Sequence, residues 1–176
     1  MNKSIKINGD THLLTRDIKF VREVSPEEQA VISERYQVDG TQFNCAIQLS
    51  NSDKPILVRE DKAALDAQLG LVNLGNGKLV PAETIIKARS LNKEGREALA
   101  AKGLNISENF RATVEITSGI MLSTAYPGQV MERKAAALER IANINANSDD
   151  HSADYVEPAD KAPEVSGAPS PSDAVA

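Results

Sequence analysis

Ser4-Ile5-Lys6-Ile7-Asn8-Gly9-Asp10-Thr11-His12-Leu13-Leu14 reads as strand, tight turn, strand, and it sets the reading of the first half of the chain. Asn and Gly adopt positive φ cheaply, which a two-residue hairpin turn demands. The same signal recurs at Asp39-Gly40, between Tyr36–Val38 and Gln42–Leu49, and at Asn76-Gly77, between Leu71–Leu74 and Lys78–Val80. A fourth turn, Asn51-Ser52-Asp53-Lys54-Pro55, separates Gln42–Leu49 from Ile56–Val58. Alternation assigns the faces. In Phe43–Leu49 the odd positions are apolar, and in Arg111–Thr117 Ala112, Val114 and Ile116 are the inward set. Asp17–Val24 is a looser strand with Ile18, Phe20 and Val24 on one side and Arg22 breaking the row.

Helix signals punctuate these strands. Ser25-Pro26-Glu27-Glu28 is a capping box with proline at the first helical position, and its helix ends near Arg35. Asp61 caps a short helix carrying Ala64, Leu65 and Leu69, and Asn92 opens Lys93–Lys102, with Gly103 at the left-handed position behind it. After Tyr126-Pro127 a long helix runs from about Gly128 through Val130, Ala137, Leu138, Ile141 and Ile144, an apolar stripe at helical spacing. No internal repeat is evident.

The fold expected is α+β: a mostly antiparallel sheet of short hairpin-linked strands with three or four short helices and a long C-terminal helix packed on the sheet. It occupies one domain, residues 1–147, followed by a disordered acidic Pro/Ala/Ser/Asp-rich tail, 148–176. The formal net charge of −5 is uneven. From Ser148 onward the acids are Asp149, Asp150, Asp154, Glu157, Asp160, Glu164 and Asp173 against Lys161, so the tail carries −6 and the rest +1.

Several chemistries lack their residues. One cysteine, Cys45, allows neither a disulfide framework nor a cysteine zinc site, and His12 and His151 are the only imidazoles. Gly70-Leu71-Val72-Asn73-Leu74-Gly75-Asn76-Gly77-Lys78-Leu79 fails as a phosphate loop, because Leu79 follows Lys78 and Val72 stands where a glycine is needed. Glu27-Glu28 and Glu60-Asp61 sit at helix starts, where negative charge suits the dipole. No catalytic residue, metal ligand or cofactor is assigned, and the chain is read as non-enzymatic. Without a charged-then-apolar leader or a long apolar run, a cytoplasmic location and no membrane contact are expected.

The function expected is therefore a non-catalytic binding or regulatory protein acting through protein–protein contacts, its partner unidentified. The alternative is a nucleic-acid-binding module on a basic N-terminal β-face, using Lys3, Lys6, Arg16, Lys19 and Arg22 for phosphates and Phe20 for stacking, with the acidic tail regulating it. A small β-rich domain ahead of a Pro/Ala/Ser/Asp tail is similar in layout to bacterial single-stranded-DNA-binding proteins. The end here, Pro171-Ser172-Asp173-Ala174-Val175-Ala176, lacks that family's acidic-then-apolar tip, and no family is assigned. The third class is an enzyme whose site is scattered along the chain. A helix face comprising Val130, Leu138 and Ile141 is the candidate partner surface, with homo-oligomerisation through the 129–145 helix as one use of it.

Overall fold

In the computed structural model the backbone is described over residues 3–153 and side chains over 3–148. Fourteen regular elements follow one another: β1 (Ser4–Ile7), β2 (Thr11–Leu14), β3 (Ile18–Glu23), α1 (Pro26–Tyr36), β4 (Cys45–Leu49), β5 (Ile56–Val58), α2 (Lys62–Leu69), β6 (Leu71–Asn73), β7 (Leu79–Pro81), β8 (Ile85–Ser90), α3 (Lys93–Ala101), β9 (Ala112–Ile116), β10 (Gly119–Ser123) and α4 (Pro127–Ala153). Single 3-10 turns, Thr15–Asp17 and Ala82–Thr84, precede β3 and β8, and a third, Gly40–Gln42, precedes β4. The strands form three antiparallel sheets, ordered β1-β2, β10-β9-β8 and β5-β4-β3-β7-β6.

That order of elements is one unit written twice. Hairpin, 3-10 turn, strand, helix, hairpin, helix runs from β1 to α2 and again from β6 to α4. The spacing of 67 residues that takes Ile18 to Ile85 matches the two as far as β4 and β9. It falls to 65 at β5 and β10, where Leu57 opposite Ala46 matches Leu122 opposite Thr113 across a shorter hairpin connection. Ile18 faces Leu49 and Val21 faces Ile47 in the first copy; Ile85 faces Ile116 and Ala88 faces Val114 in the second. The β3–β4 ladder slips by one residue between Ile18 and Phe20, and the β8–β9 ladder slips at the matching place, between Ile85 and Lys87. Backbone bonds outside the ladders repeat too. Thr15 N–H donates to Lys3 C=O as Ala82 N–H does to Gly70, Val24 to Asn44 as Leu91 to Arg111, and Ser50 to Asp17 as Thr117 to Thr84. An internal repeat is therefore present although none was expected. Few matched positions keep their residue, among them Ile18 with Ile85, Arg22 with Arg89 and Phe43 with Phe110. The copies share a pattern of burial and hydrogen bonding rather than side chains, and such a pattern leaves little trace as residue identity.

The copies interlock. Val21 of β3 pairs with Leu79 of β7, joining the first copy's sheet to the second copy's hairpin. One core holds Ile5, Ile7, Ile18, Val21, Ile47, Val58, Leu65 and Leu69 together with Leu71 and Leu79 from the second copy. The other holds Val72, Leu74, Val80, Ile85, Val114, Ile116, Met121, Val130 and Ala137, with Phe20 of the first copy packed against it. Burial of this many aliphatic side chains, each contributing about 1.5–3 kcal/mol, is the main driving force of the fold. The long C-terminal helix α4 covers sheet residues through Val130 and Ala137, as expected.

Several local expectations change. The slip after Ile18 turns Val21 inward with Ile18 and puts Phe20 on the opposite face, so the simple alternation read for Asp17–Val24 fails at a β-bulge. Tyr36–Val38 is not a strand: α1 runs through Tyr36 and closes on Gln37 at φ 54°. Asp39-Gly40 is accordingly not a hairpin turn, and Gly40 lacks positive φ. A Cβ on Gly40 would lie 2.0 Å from the Gln29 carbonyl oxygen, so glycine is required there by close approach to α1. The two Asn-Gly pairs do turn hairpins with positive φ, Asn8 and Gly9 at 52° and 88° and Asn76 and Gly77 at 59° and 70°. Each sits in a three-residue loop, Asn8-Gly9-Asp10 and Gly75-Asn76-Gly77, rather than a two-residue turn. The expected strand at Gln42–Leu49 begins only at Cys45, and β8 and β10 were not anticipated. α4 continues past Ser148 to Ala153, and the remainder of the acidic tail lies outside the described residues.

Candidate functional site

α1 begins where the sequence demands. Ser25 caps it by accepting a bond from the Glu28 N–H, Pro26 occupies the first turn, and Glu27 and Glu28 complement the positive helix start. Glu28, Val31, Ile32, Arg35 and Tyr36 then fall at the spacing of a single helix face. A stripe of that kind is normally buried, yet only Ile32 is, at 8% exposure, against Val24, Ala46, Phe43 and Leu57. Val31 is 58% exposed and Tyr36 59%.

Beside them runs a groove of about 590 Å³ between α1 and the β4–β5 hairpin. Ile32, Pro55 and Leu57 contribute its apolar surface, with Val31 and Tyr36 alongside. Its charges are unequal in availability. Arg22 Nη1 is held by Glu28 Oε2 at 2.6 Å, and the Arg35 guanidinium lies 5.8 Å from the Tyr36 ring centre. Arg35 and Lys54 therefore offer cationic groups to a ligand, against the carboxylate of Glu27. The 3-10 turn beyond α1 is braced locally. Thr41 donates side-chain and backbone hydrogen bonds to Asp39, which hold that carboxyl below its ordinary pKa.

The second copy lacks this surface. At the positions matching Val31, Tyr36 and Val38 it carries Ala98, Gly103 and Asn105. The fold thus forms without exposed apolar groups at those places.

The residues proposed from sequence to contact phosphates lie on or next to β1, on the Thr15–Asp17 turn and on β3, and two of them hold hydrogen bonds or ion pairs that tie the chain to itself. Lys3 Nζ donates to the Gln68 carbonyl at 2.8 Å and approaches Glu83 at 4.0 Å. Lys6 is exposed on β1, Arg16 lies beside Asp17 at 3.7 Å, Lys19 is in the β3 bulge, and Arg22 is committed to Glu28. Phe20 is half-buried with Lys78 Nζ 5.0 Å from its ring centre, so one face is already stacked by a cation. Lys3 and Arg22 thus serve the chain's own structure. On the candidate partner helix, Val130 and Ile141 face the chain's own interior, while Leu138 is 38% exposed.

Cys45 is buried on β4, and burial, reinforced by the nearby Glu23 charge, pushes its thiol pKa up to about 11. A thiol so held is protonated at neutral pH and is a poor nucleophile. No helix among the described residues is long and apolar enough to cross a membrane. No protein-family model, curated protein or solved structure matches the chain.

The groove residues escaped sequence reading for a definite reason. Val31 and Tyr36 belong to a stripe that looks like ordinary core, and only the position of the sheet shows that the sheet covers Ile32 alone. Their one linear signal is the contrast with Ala98 and Gly103, legible only once the two copies are aligned.

Proposed function

We propose that the chain is a binding protein that docks a segment of another protein in the α1 groove. The single observation behind this reading is the exposure of Val31 and Tyr36 on α1, matched in the second copy by Ala98 on α3 and by Gly103 just beyond its end. Exposed apolar side chains beside a concave surface, rimmed by charge, are the usual marks of a docking site. The segment it fits carries an apolar side chain for the Val31–Leu57 cleft and a carboxylate for Arg35 or Lys54.

A photo-reactive phenylalanine at position 36 of the full chain, expressed in its own cells, tests this. Cross-linking to one discrete protein is expected, at a peptide containing a carboxylate, and a synthetic copy of that peptide should bind roughly tenfold more weakly to Arg35→Glu. The same probe at Leu104, exposed on the second copy, should give no such product. Equal products at both positions, or a peptide indifferent to Arg35→Glu and Val31→Glu, would overturn the proposal.

A further inference from the structure

Exposed strand edges invite pairing, and three edges of this protein are capped by side chains. On β1, Gln68 accepts from the Lys6 N–H and donates to the Lys6 carbonyl, both at 3.3 Å. On β6, Arg133 donates to Asn73 C=O at 2.7 Å and Arg140 to Leu71 C=O at 3.2 Å. On β5, Asn8 Nδ2 donates to Leu57 C=O and Asn8 Oδ1 accepts from Arg59 N–H, each at 2.9 Å.

β10 is the second copy's counterpart of β5, and its guard is only half replaced. The Thr124 N–H, counterpart of that of Arg59, donates to the Leu74 carbonyl at 2.9 Å, while the cap that Asn8 places on the Leu57 carbonyl has no side-chain counterpart. The residue matching Asn8 is Gly75, which has no side chain with which to reach Leu122, the counterpart of Leu57. β5 is three residues long and is flanked by Lys54-Pro55 and Arg59; β10 is five residues, Gly119-Ile120-Met121-Leu122-Ser123, with no proline and no charge. Ile120, at 65%, is highly exposed.

The backbone sets which atoms are on offer. The Ser123 carbonyl accepts from Arg111 N–H on the β9 side, so strand alternation also turns Met121 and Gly119 toward β9. The N–H and C=O groups of Ile120 and Leu122 then lie along the open edge. This edge is its own complement. In an antiparallel pairing about a two-fold axis at Met121, Ile120 stands opposite Leu122 of the copy and exchanges both backbone bonds with it, twice over. The charges permit it: the neighbouring row holds Lys87 and Glu115, which satisfy each other at 2.8 Å, and the axis brings no like charges together.

We propose that β10 is a self-association strand, joining the three-stranded sheets of two chains into one six-stranded sheet through Ile120 and Leu122. An edge of this length buries less than the roughly 1,000 Å² of a tight complex, so the dimer is a weak one.

Sedimentation of the full chain across a concentration series, with residue-resolved amide exchange on the same samples, tests this. Expected is a concentration-dependent dimer in which the Ile120 and Leu122 amides become protected as dimer accumulates. Ile120→Lys should weaken association at least roughly tenfold. Leu122→Pro, which removes an edge N–H but no β9 ladder bond, should do the same. A chain that stays monomeric at roughly millimolar concentration, with both amides exchanging freely, overturns the proposal. So does a dimer that leaves those two amides unprotected. Because the exchange readout is made on the unaltered chain, misfolding of either variant leaves the test intact.

Discussion

The two copies differ in what they expose, not in how they fold. The first carries an open apolar cleft beside Val31 and Tyr36 and a carbonyl cap from Asn8 on β5; the second has Ala98 and Gly103 at the matching places and Gly75 in place of Asn8 beside β10. Shared features, such as the bulge after Ile18 and after Ile85, are what the architecture needs. Features present in one copy alone are free of that need, and the candidate binding surfaces are found among them. A duplicated fold thus supplies its own internal control.

The largest expected effect tests the equivalence itself. Ile18 and Ile85 are 0% and 1% exposed at matched positions, so Ile18→Ala and Ile85→Ala should each cost about 2–5 kcal/mol in urea unfolding. A large loss in one with a loss of a few tenths in the other would break the equivalence. Next comes a position where the copies diverge. Gly40→Ala forces a methyl against the Gln29 carbonyl and should cost about 1–3 kcal/mol, whereas Ser107→Ala, at the matching exposed position, should stay within about 0.5 kcal/mol.

Asn8→Gly makes the first copy resemble the second. It removes the caps on Leu57 and Arg59 and should cost about 1 kcal/mol, read by the same unfolding measurement. Arg22→Ala breaks a part-exposed pair with Glu28 and should cost less than about 1 kcal/mol, again read by urea unfolding. The last contrast vanishes at neutral pH. The Cys45 thiol, whose ordinary pKa is 9.0, holds its proton until about pH 11 when folded. The unfolded chain loses that proton first, so stability should fall as pH rises from 9.0 toward 11. Cys45→Ala, which places in the first copy the alanine that the second has at 112, should remove that part of the pH dependence.

Much of this was legible in the residues. The hairpin positions at Asn8-Gly9 and Asn76-Gly77, the caps at Ser25, Asp61 and Asn92, and the burial of Val130, Ala137 and Ile141 on α4 all follow from local chemistry, whereas Leu138 and Ile144 of the same stripe are exposed. β8 was missed because Ile85-Ile86-Lys87-Ala88-Arg89-Ser90 contains a bulge that breaks its alternation. Gly40 misled because a glycine kept for close packing looks, in sequence, like one kept for positive φ. The duplication stayed hidden because so few matched residues are the same. The cleft stayed hidden because whether Val31 and Tyr36 are covered depends on where the sheet ends.

The equivalence of the copies is tested most directly by cross-strand nuclear Overhauser contacts in solution. They should pair Ile18 with Leu49 and Val21 with Ile47, and likewise Ile85 with Ile116 and Ala88 with Val114, with the same one-residue slip in both ladders. A continuous ladder in one copy beside a slipped ladder in the other would contradict the duplication.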